Sequence, residues 1–193
     1  MSSFRDFLFD RGRSRRYALA VAMTGVRMGE RLLVVGDNAP LAAQLAAKVG
    51  LTGRSVVVVG SEDAAGRAAA SAAEAGVLFE AVTVAALPAL PVEDGAFDAV
   101  VVDVGQAFLT GLDAARRLEL ARSISRALRP GGRAIVVEGR PRASFKPFRA
   151  KPAGLDAFRA AGGAARLLEA AGFHPVRLLA DREGQRFTEG LRR

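Results

Sequence analysis

Three short stretches of this chain hold residue types that could do chemistry. Asp103 closes the apolar run FDAVVVDVG (97–105). A carboxylate at the end of such a run can act as a general base, or it can orient a hydroxyl nucleophile. The same residue can equally be a cap at a strand end, and Gln106 is its nearest polar companion. Gly36, Asp37, Asn38, Ala39 and Pro40 follow a second apolar run, LLVV. Gly60, Ser61, Glu62 and Asp63 follow a third, SVVVV. Glycine admits positive φ and lets a backbone pass close to a ligand. Asn38 enters the left-handed region more readily than most residues. Pro40 has no N–H to offer but suits a first helical turn. A plain strand-to-helix turn that binds nothing would use the same residues, so both readings stay open here.

Other chemistries are excluded by composition. There is no cysteine, hence no disulfide, no thiolate metal site and no cysteine nucleophile. A single histidine, His174, sits at a strand entrance and reads as a surface residue; it is a poor basis for a metal site or a Ser-His triad. No metal ligation is expected. The 193 residues fit one domain with a sizeable core. Hydrophobic residues make up 50% but aromatics only 6%, so Ala, Val and Leu must build that core. No apolar run approaches the roughly 20 residues that span a bilayer. The N-terminus MSSFRDFLFDRGRSRRYALAVAMTG lacks a signal-peptide pattern, and a cytoplasmic protein is expected. The net charge of +8 invites a nucleic-acid reading. Nearly all the cations are Arg, a bias that a GC-rich genome produces unaided, and no nucleic-acid motif accompanies them.

The elements that must position these residues alternate along the chain. Strands are predicted at 31–36, 54–60, 77–85, 97–105 and 133–139, with helices at 40–50, 61–76, 111–128 and 160–172. Pro40 and Gly50 bracket the first of these helices. Ser61 is the predicted cap of the second, with acids in its first turn and Gly76 as its stop. RPGG (129–132) is a turn, Asp98 a turn or strand-entry residue, and residues 174–192 two strands around Glu183-Gly184. Alternating strands and helices predict a parallel sheet covered on both faces, with an antiparallel edge at the final pair. A ligand would lie beyond the carboxyl ends of the strands, among Gly36–Pro40, Gly60–Asp63, Ala85–Leu87 and Asp103–Phe108.

The stretches LLVVGDNAPLAAQLAAKVG, LPALPVEDGAFDAVVVD, SISRALRPGGRAIVVE and LLEAAGFHPVRLL, in this order and spacing, resemble class I S-adenosylmethionine-dependent methyltransferases. The small-molecule group akin to quinone-biosynthesis methyltransferases is the nearest in style. The resemblance covers roughly residues 25–190. It implies an α/β three-layer sandwich with a Rossmann-like seven-stranded sheet, order 3-2-1-4-5-7-6, the last strand antiparallel. It implies S-adenosylmethionine as cofactor, held by Gly36, Asp37, Asn38, Gly60, Ser61, Glu62 and the backbone of Ala86 and Leu87. Asp103 falls where the family faces the methyl group and the substrate. The chain departs from the family at three positions. Val34 stands where an acid precedes the first loop, Val59 where an acid grips the ribose, and Ala86 where an acid reads adenine. The cofactor motif is therefore degenerate.

Two basic stretches frame the rest. In the loop 140–158, Arg140, Arg142, Lys146, Arg149 and Lys151 alternate with Phe145 and Phe148. Such a loop can close over an acidic substrate or meet a protein or an anionic surface; it can also be a solvated surface loop. DRGRSRR (10–16) precedes YALAVAMTGV. Residues 1–28 read as an N-terminal helical segment ahead of a domain at 29–193. The helix either covers the crevice, with Tyr17 and Met23 available for stacking or packing, or packs on the sheet edge. Three functions follow: a methyltransferase acting on a small molecule, an inactive relative serving as a binding or assembly subunit, and a nucleic-acid-binding protein.

Overall fold

Valine-rich runs become strands buried on both faces, and the alanine-rich runs between them become helices that cover those faces. The computed structural model describes residues 17–84, 89–104, 110–139 and 154–193. Residues 17–24 are helical (α1). Then follow β1 (Arg31–Val35), α2 (Ala39–Val49), β2 (Arg54–Val59), α3 (Glu62–Ala75), β3 (Glu80–Thr83), β4 (Phe97–Asp103) and α4 (Ala114–Ala127). β5 (Leu128–Gly139), α5 (Leu155–Ala160), α6 (Gly163–Ala170), β6 (Val176–Arg182) and β7 (Gln185–Leu191) complete the order. The sheet has seven strands in the order β3-β2-β1-β4-β5-β7-β6. β7 runs antiparallel to both β5 and β6, and the other pairings are parallel. The expected architecture is the observed one.

Alternate side chains of each strand feed two cores. Leu32, Val34, Val57, Val59, Ala99 and Val101 pack with α1 and α2. Leu33, Val35, Val56, Val58, Val100 and Val102 pack with α4, α5 and α6. The helix ends follow the local chemistry. Asn38, Ser61 and Asp113 cap α2, α3 and α4 through side-chain oxygens, and Gly76 ends α3 in the left-handed region.

Several boundaries differ from expectation. β3 is shorter than predicted, because this edge strand pairs only with β2, from Glu80 onward. RPGG does not separate α4 from β5. Leu128 already pairs with Phe97, and the ladder resumes at Arg133 opposite Ala99, so the four residues bulge from a continuing strand. The predicted helix 160–172 is shortened to α6, and α5 precedes it. Gly162 and Gly163 have φ of 99° and 60°, which split α5 from α6. The end of the basic loop is helical rather than irregular, since Leu155 and Phe158, three residues apart, are both buried in α5. Asp98, by contrast, stands at the strand entry as expected: it is the second residue of β4 and accepts a hydrogen bond from the Arg31 N–H at 2.7 Å. The described part of α1 lies on a sheet face rather than an edge, with Tyr17 and Ala20 in the α2-side core.

The amino ends of β1, β4 and β5 are clamped electrostatically. Arg133 holds Glu30 through two bonds of 2.8 and 3.0 Å and also donates to the Gly25 carbonyl at 2.7 Å. Arg129 pairs with Asp98. Burial pushes the Glu30 carboxyl upward, but the Arg133 hydrogen bonds and the Arg27 N–H outweigh it and hold it below its ordinary value. Asp98 behaves likewise: burial raises it, while the Arg31 N–H and Arg129 lower it further, for a net depression.

Candidate functional site

The parallel register brings the carboxyl ends of β1, β2 and β4 together, with Val35 opposite both Val58 and Val102. The turn after β1 crosses this edge. The Gly36 N–H donates to the Val58 carbonyl at 2.9 Å. Gly36 has φ of 136°, a region that L side chains rarely adopt. A Cβ there would lie 3.0 Å from the Asp103 carbonyl oxygen and 3.3 Å from the Asp103 Cβ. Glycine is thus required twice, by conformation and by close approach, and it places the first turn directly against Asp103. Asp103 is only 1% exposed.

Asp37 points sideways along the same edge. Its Oδ1 accepts a hydrogen bond from the Gly60 N–H at 3.0 Å, which ties the turn after β1 to the turn after β2. The carboxylate is half-buried and oriented by this bond. Val59, where the resemblance implies an acid, is 1% exposed and packed in the α2-side core, as is Val34 at 2%. Both valines therefore belong to the packing under the crevice. Asp37 sets a carboxylate beside the end of β2.

The start of α2 consumes its own donors. The Leu41 N–H donates to Asn38 Oδ1 at 3.4 Å, Ala39 N–H to the Asp37 carbonyl at 3.1 Å, and Ala42 N–H to the Asn38 carbonyl at 3.0 Å. Pro40 has none. Asn38, 7% exposed, is thus committed to capping. Ser61 is committed likewise, its Oγ accepting from the Ala64 N–H at 3.2 Å. Glu62 opens α3 and is exposed beside Gly60. The structure thus assembles Gly36, Asp37, Asn38, Gly60, Ser61, Glu62 and Asp103 along one edge. Ala86, Leu87, Gln106, Arg140, Arg142, Lys146, Arg149 and the rest of 140–153 lie outside the described residues, as does the basic cluster 10–16. His174 is exposed at the opposite end of the sheet, its N–H donating to the Leu191 carbonyl at 2.9 Å.

Two residues near this edge carried no recognised sequence signal. Glu138, next to last in β5, is 1% exposed. Its Oε2 accepts from Arg159 Nε at 2.9 Å and its Oε1 from the Ala164 N–H at 3.0 Å. It joins β5 to the start of α6, where negative charge is favoured. A lone acid closing the apolar run RAIVVE was its only trace in sequence. Gln185, opposite Gly139, is 1% exposed, and its Oε1 accepts no hydrogen bond among the described residues. Such an oxygen is unusual in a native interior. Among the described residues no group of three His, Cys, Asp or Glu could hold a metal ion, and no helix is long and apolar enough to cross a membrane.

Comparison with known proteins places this geometry in context. The sequence profile of the ubiE/COQ5 methyltransferase family matches residues 9–150. No curated protein sequence matches the chain. Among solved structures, an SAM-dependent methyltransferase from Aquifex aeolicus is similar over 91% of this chain and 89% of its own, with TM-score 0.72 and 16% identity. An S-adenosylmethionine-dependent methyltransferase from Mesorhizobium loti is similar over 91% and 97%, with TM-score 0.61 and 18% identity. A complex of the Haloferax volcanii Trm112 methyltransferase activator with its methyltransferase is similar over 97% and 92%, with TM-score 0.62 and 17% identity. At such identities the structural likeness speaks for the fold.

Proposed function

The chain belongs to the ubiE/COQ5 methyltransferase family, and we propose that it transfers a methyl group from S-adenosylmethionine to a small hydroxylated molecule, with Asp103 orienting the acceptor. The observation that carries this reading is the contact between the Gly36 turn and Asp103. A ligand lying on that turn would have Asp103 beside it, at the edge where an acceptor would enter.

S-adenosylmethionine, the cofactor of this family, supplies an electrophilic methyl group on a sulfonium. The edge fits it in two respects. Gly36 presents backbone without a side chain. The Asp37 carboxylate, held by the Gly60 N–H, would accept hydrogen bonds from a vicinal diol, work that Val59 cannot do. Glu62, two residues after Gly60 at the start of α3, is a second and exposed carboxylate. Ser61 and Asn38 serve by holding the two helix starts in place. The backbone of Ala86 and Leu87 would complete the adenine end.

For the chemical step the chain's contribution is placement. Asp103 accepts a hydrogen bond from the acceptor hydroxyl and takes up its proton as the oxygen becomes nucleophilic. Alignment of acceptor and donor supplies the rest. The basic stretch 140–158 would close over an acidic acceptor. The test is formation of S-adenosylhomocysteine in the presence of a panel of catechols and hydroxybenzoates. Asp103→Asn should lower turnover by about 100-fold or more. An active enzyme indifferent to this change would remove Asp103 from the account.

The burial of Val34 and Val59 favours a second reading, an assembly subunit with an inactive crevice. That reading requires a stably co-purifying protein partner and no cofactor binding.

A further inference from the structure

β7 runs antiparallel to β5, so its first residues stand at the carboxyl edge of the sheet, beside the ends of β4 and β5. One register row there runs from Asp103 on β4 through Val137 on β5 to Phe187 on β7. Val137 and Phe187 both pack in the α2-side core. Asp103 lies two residues past Val101 and four past Ala99, which pack in the same core, so strand alternation turns its side chain to that face. Gln185, two residues before Phe187, turns to the same face by the same rule. It pairs with Gly139, one pleat further toward the carboxyl edge than the Asp103 row.

Gly139 puts no side chain between Gln185 and β4, and none would fit. A Cβ there would lie 2.4 Å from the Gly184 carbonyl oxygen. By strand geometry the Asp103 and Gln185 side chains start roughly 10 Å apart across the sheet and about 7 Å apart along it. One aromatic ring with a polar group at each end suits that span; two neighbouring hydroxyls do not. Gln185 is 1% exposed, and its Oε1 has no hydrogen-bond partner among the described residues. A buried acceptor without a donor weighs against the fold, and departures of this kind concentrate where function uses the group. Glu138, on the neighbouring strand, is the contrast: both of its oxygens are engaged, by Arg159 and by the Ala164 N–H.

We propose that Gln185 is a specificity-determining residue of the crevice: its Oε1 accepts a hydrogen bond from a donor on the acceptor, at the end away from the hydroxyl that is methylated. The inference rests on the reading of Asp103 as the residue that orients that hydroxyl. It adds a selection rule, because a site with a buried acceptor discriminates against an analogue that leaves it unpaired.

The test uses two acceptors of nearly equal shape. 4-Hydroxybenzamide carries N–H donors across the ring from its hydroxyl; methyl 4-hydroxybenzoate carries none there. S-adenosylhomocysteine formation from each is measured for the full-length protein and for Gln185→Met and Gln185→Leu, together with urea midpoints. The wild type should favour the amide in kcat/KM by about tenfold, and both variants should bring the ratio close to one. Their urea midpoints should equal or exceed that of the wild type, since an unpaired buried oxygen has been removed. No preference in the wild type, or the same preference in the variants, overturns the role of Gln185 and leaves that of Asp103 standing. Lower midpoints with a parallel loss on both acceptors make Gln185 a structural residue whose oxygen is met by buried water. No product from either acceptor overturns the inference, and if catechols and hydroxybenzoates also give none, the reading of the crevice falls with it.

Discussion

Asp37 and Gly36 carry the most specific expectations at the residue scale. If the Gly60-bound carboxylate holds a diol, Asp37→Asn should weaken S-adenosylhomocysteine binding about tenfold, since a hydrogen bond to a charged group contributes about 1.5–3 kcal/mol. The loss should vanish with an analogue that lacks the ribose hydroxyls, and equilibrium dialysis reads both. An equal loss for both ligands would assign Asp37 to shaping the turn. Gly36→Ala forces a side chain into φ of 136° and against the Asp103 carbonyl. It should cost about 1–3 kcal/mol of stability, seen as a lower urea midpoint with unchanged slope. The sequence showed Gly36, Asp37 and Asp103 as separate candidates. Their gathering at the carboxyl ends of the strands was legible, but the close approach of Gly36 to Asp103 and the bond from Gly60 N–H to Asp37 were not, because these depend on the β1–β2 and β1–β4 registers. The valines could be read as missing acids. That they pack into the core, with the Asp37 carboxylate tied to Gly60 beside them, required the fold.

Capping and turn chemistry decide what happens at the scale of elements. Ser61 and Asn38 each occupy a functional edge while satisfying a helix start. Ser61→Ala should therefore destabilise by about 1 kcal/mol, measured by urea unfolding. It should also loosen the α3 start against which Asp37 is fixed. These caps were legible, because Ser or Asn before an alanine-rich run is a local signal. That the helix predicted at 160–172 starts only at Gly163, after a separate α5, was harder to read. Gly162 and Gly163 sit within an alanine-rich run that supports a helix on either side, and the break is set by the docking of Glu138 onto Ala164 N–H. The bulge at 129–132 was likewise read as a turn, since sequence cannot tell a loop between elements from one inside a paired strand.

At the scale of the molecule, the order 3-2-1-4-5-7-6 was legible from the spacing of its motifs through resemblance, and the two-sided core from the valine runs. The clamp at the amino ends was not, since Glu30 and Arg133 are far apart in sequence. Its pH dependence has a definite sign. Glu30 and Asp98 both have depressed carboxyls in the folded state. Their contribution is therefore complete above the ordinary values of 4.5 and 3.8 and drains away as pH falls through the lower folded values. Urea midpoints should drop in that acid range, and Glu30→Gln or Asp98→Asn should flatten the dependence.

The central claim is that this edge still holds the family's cofactor with its carboxylate delivered from the turn after β1. Equilibrium dialysis of the full-length protein against S-adenosylhomocysteine tests it most directly. Saturable binding of one ligand per chain is the expected result; no retention at millimolar ligand by a folded protein would contradict it.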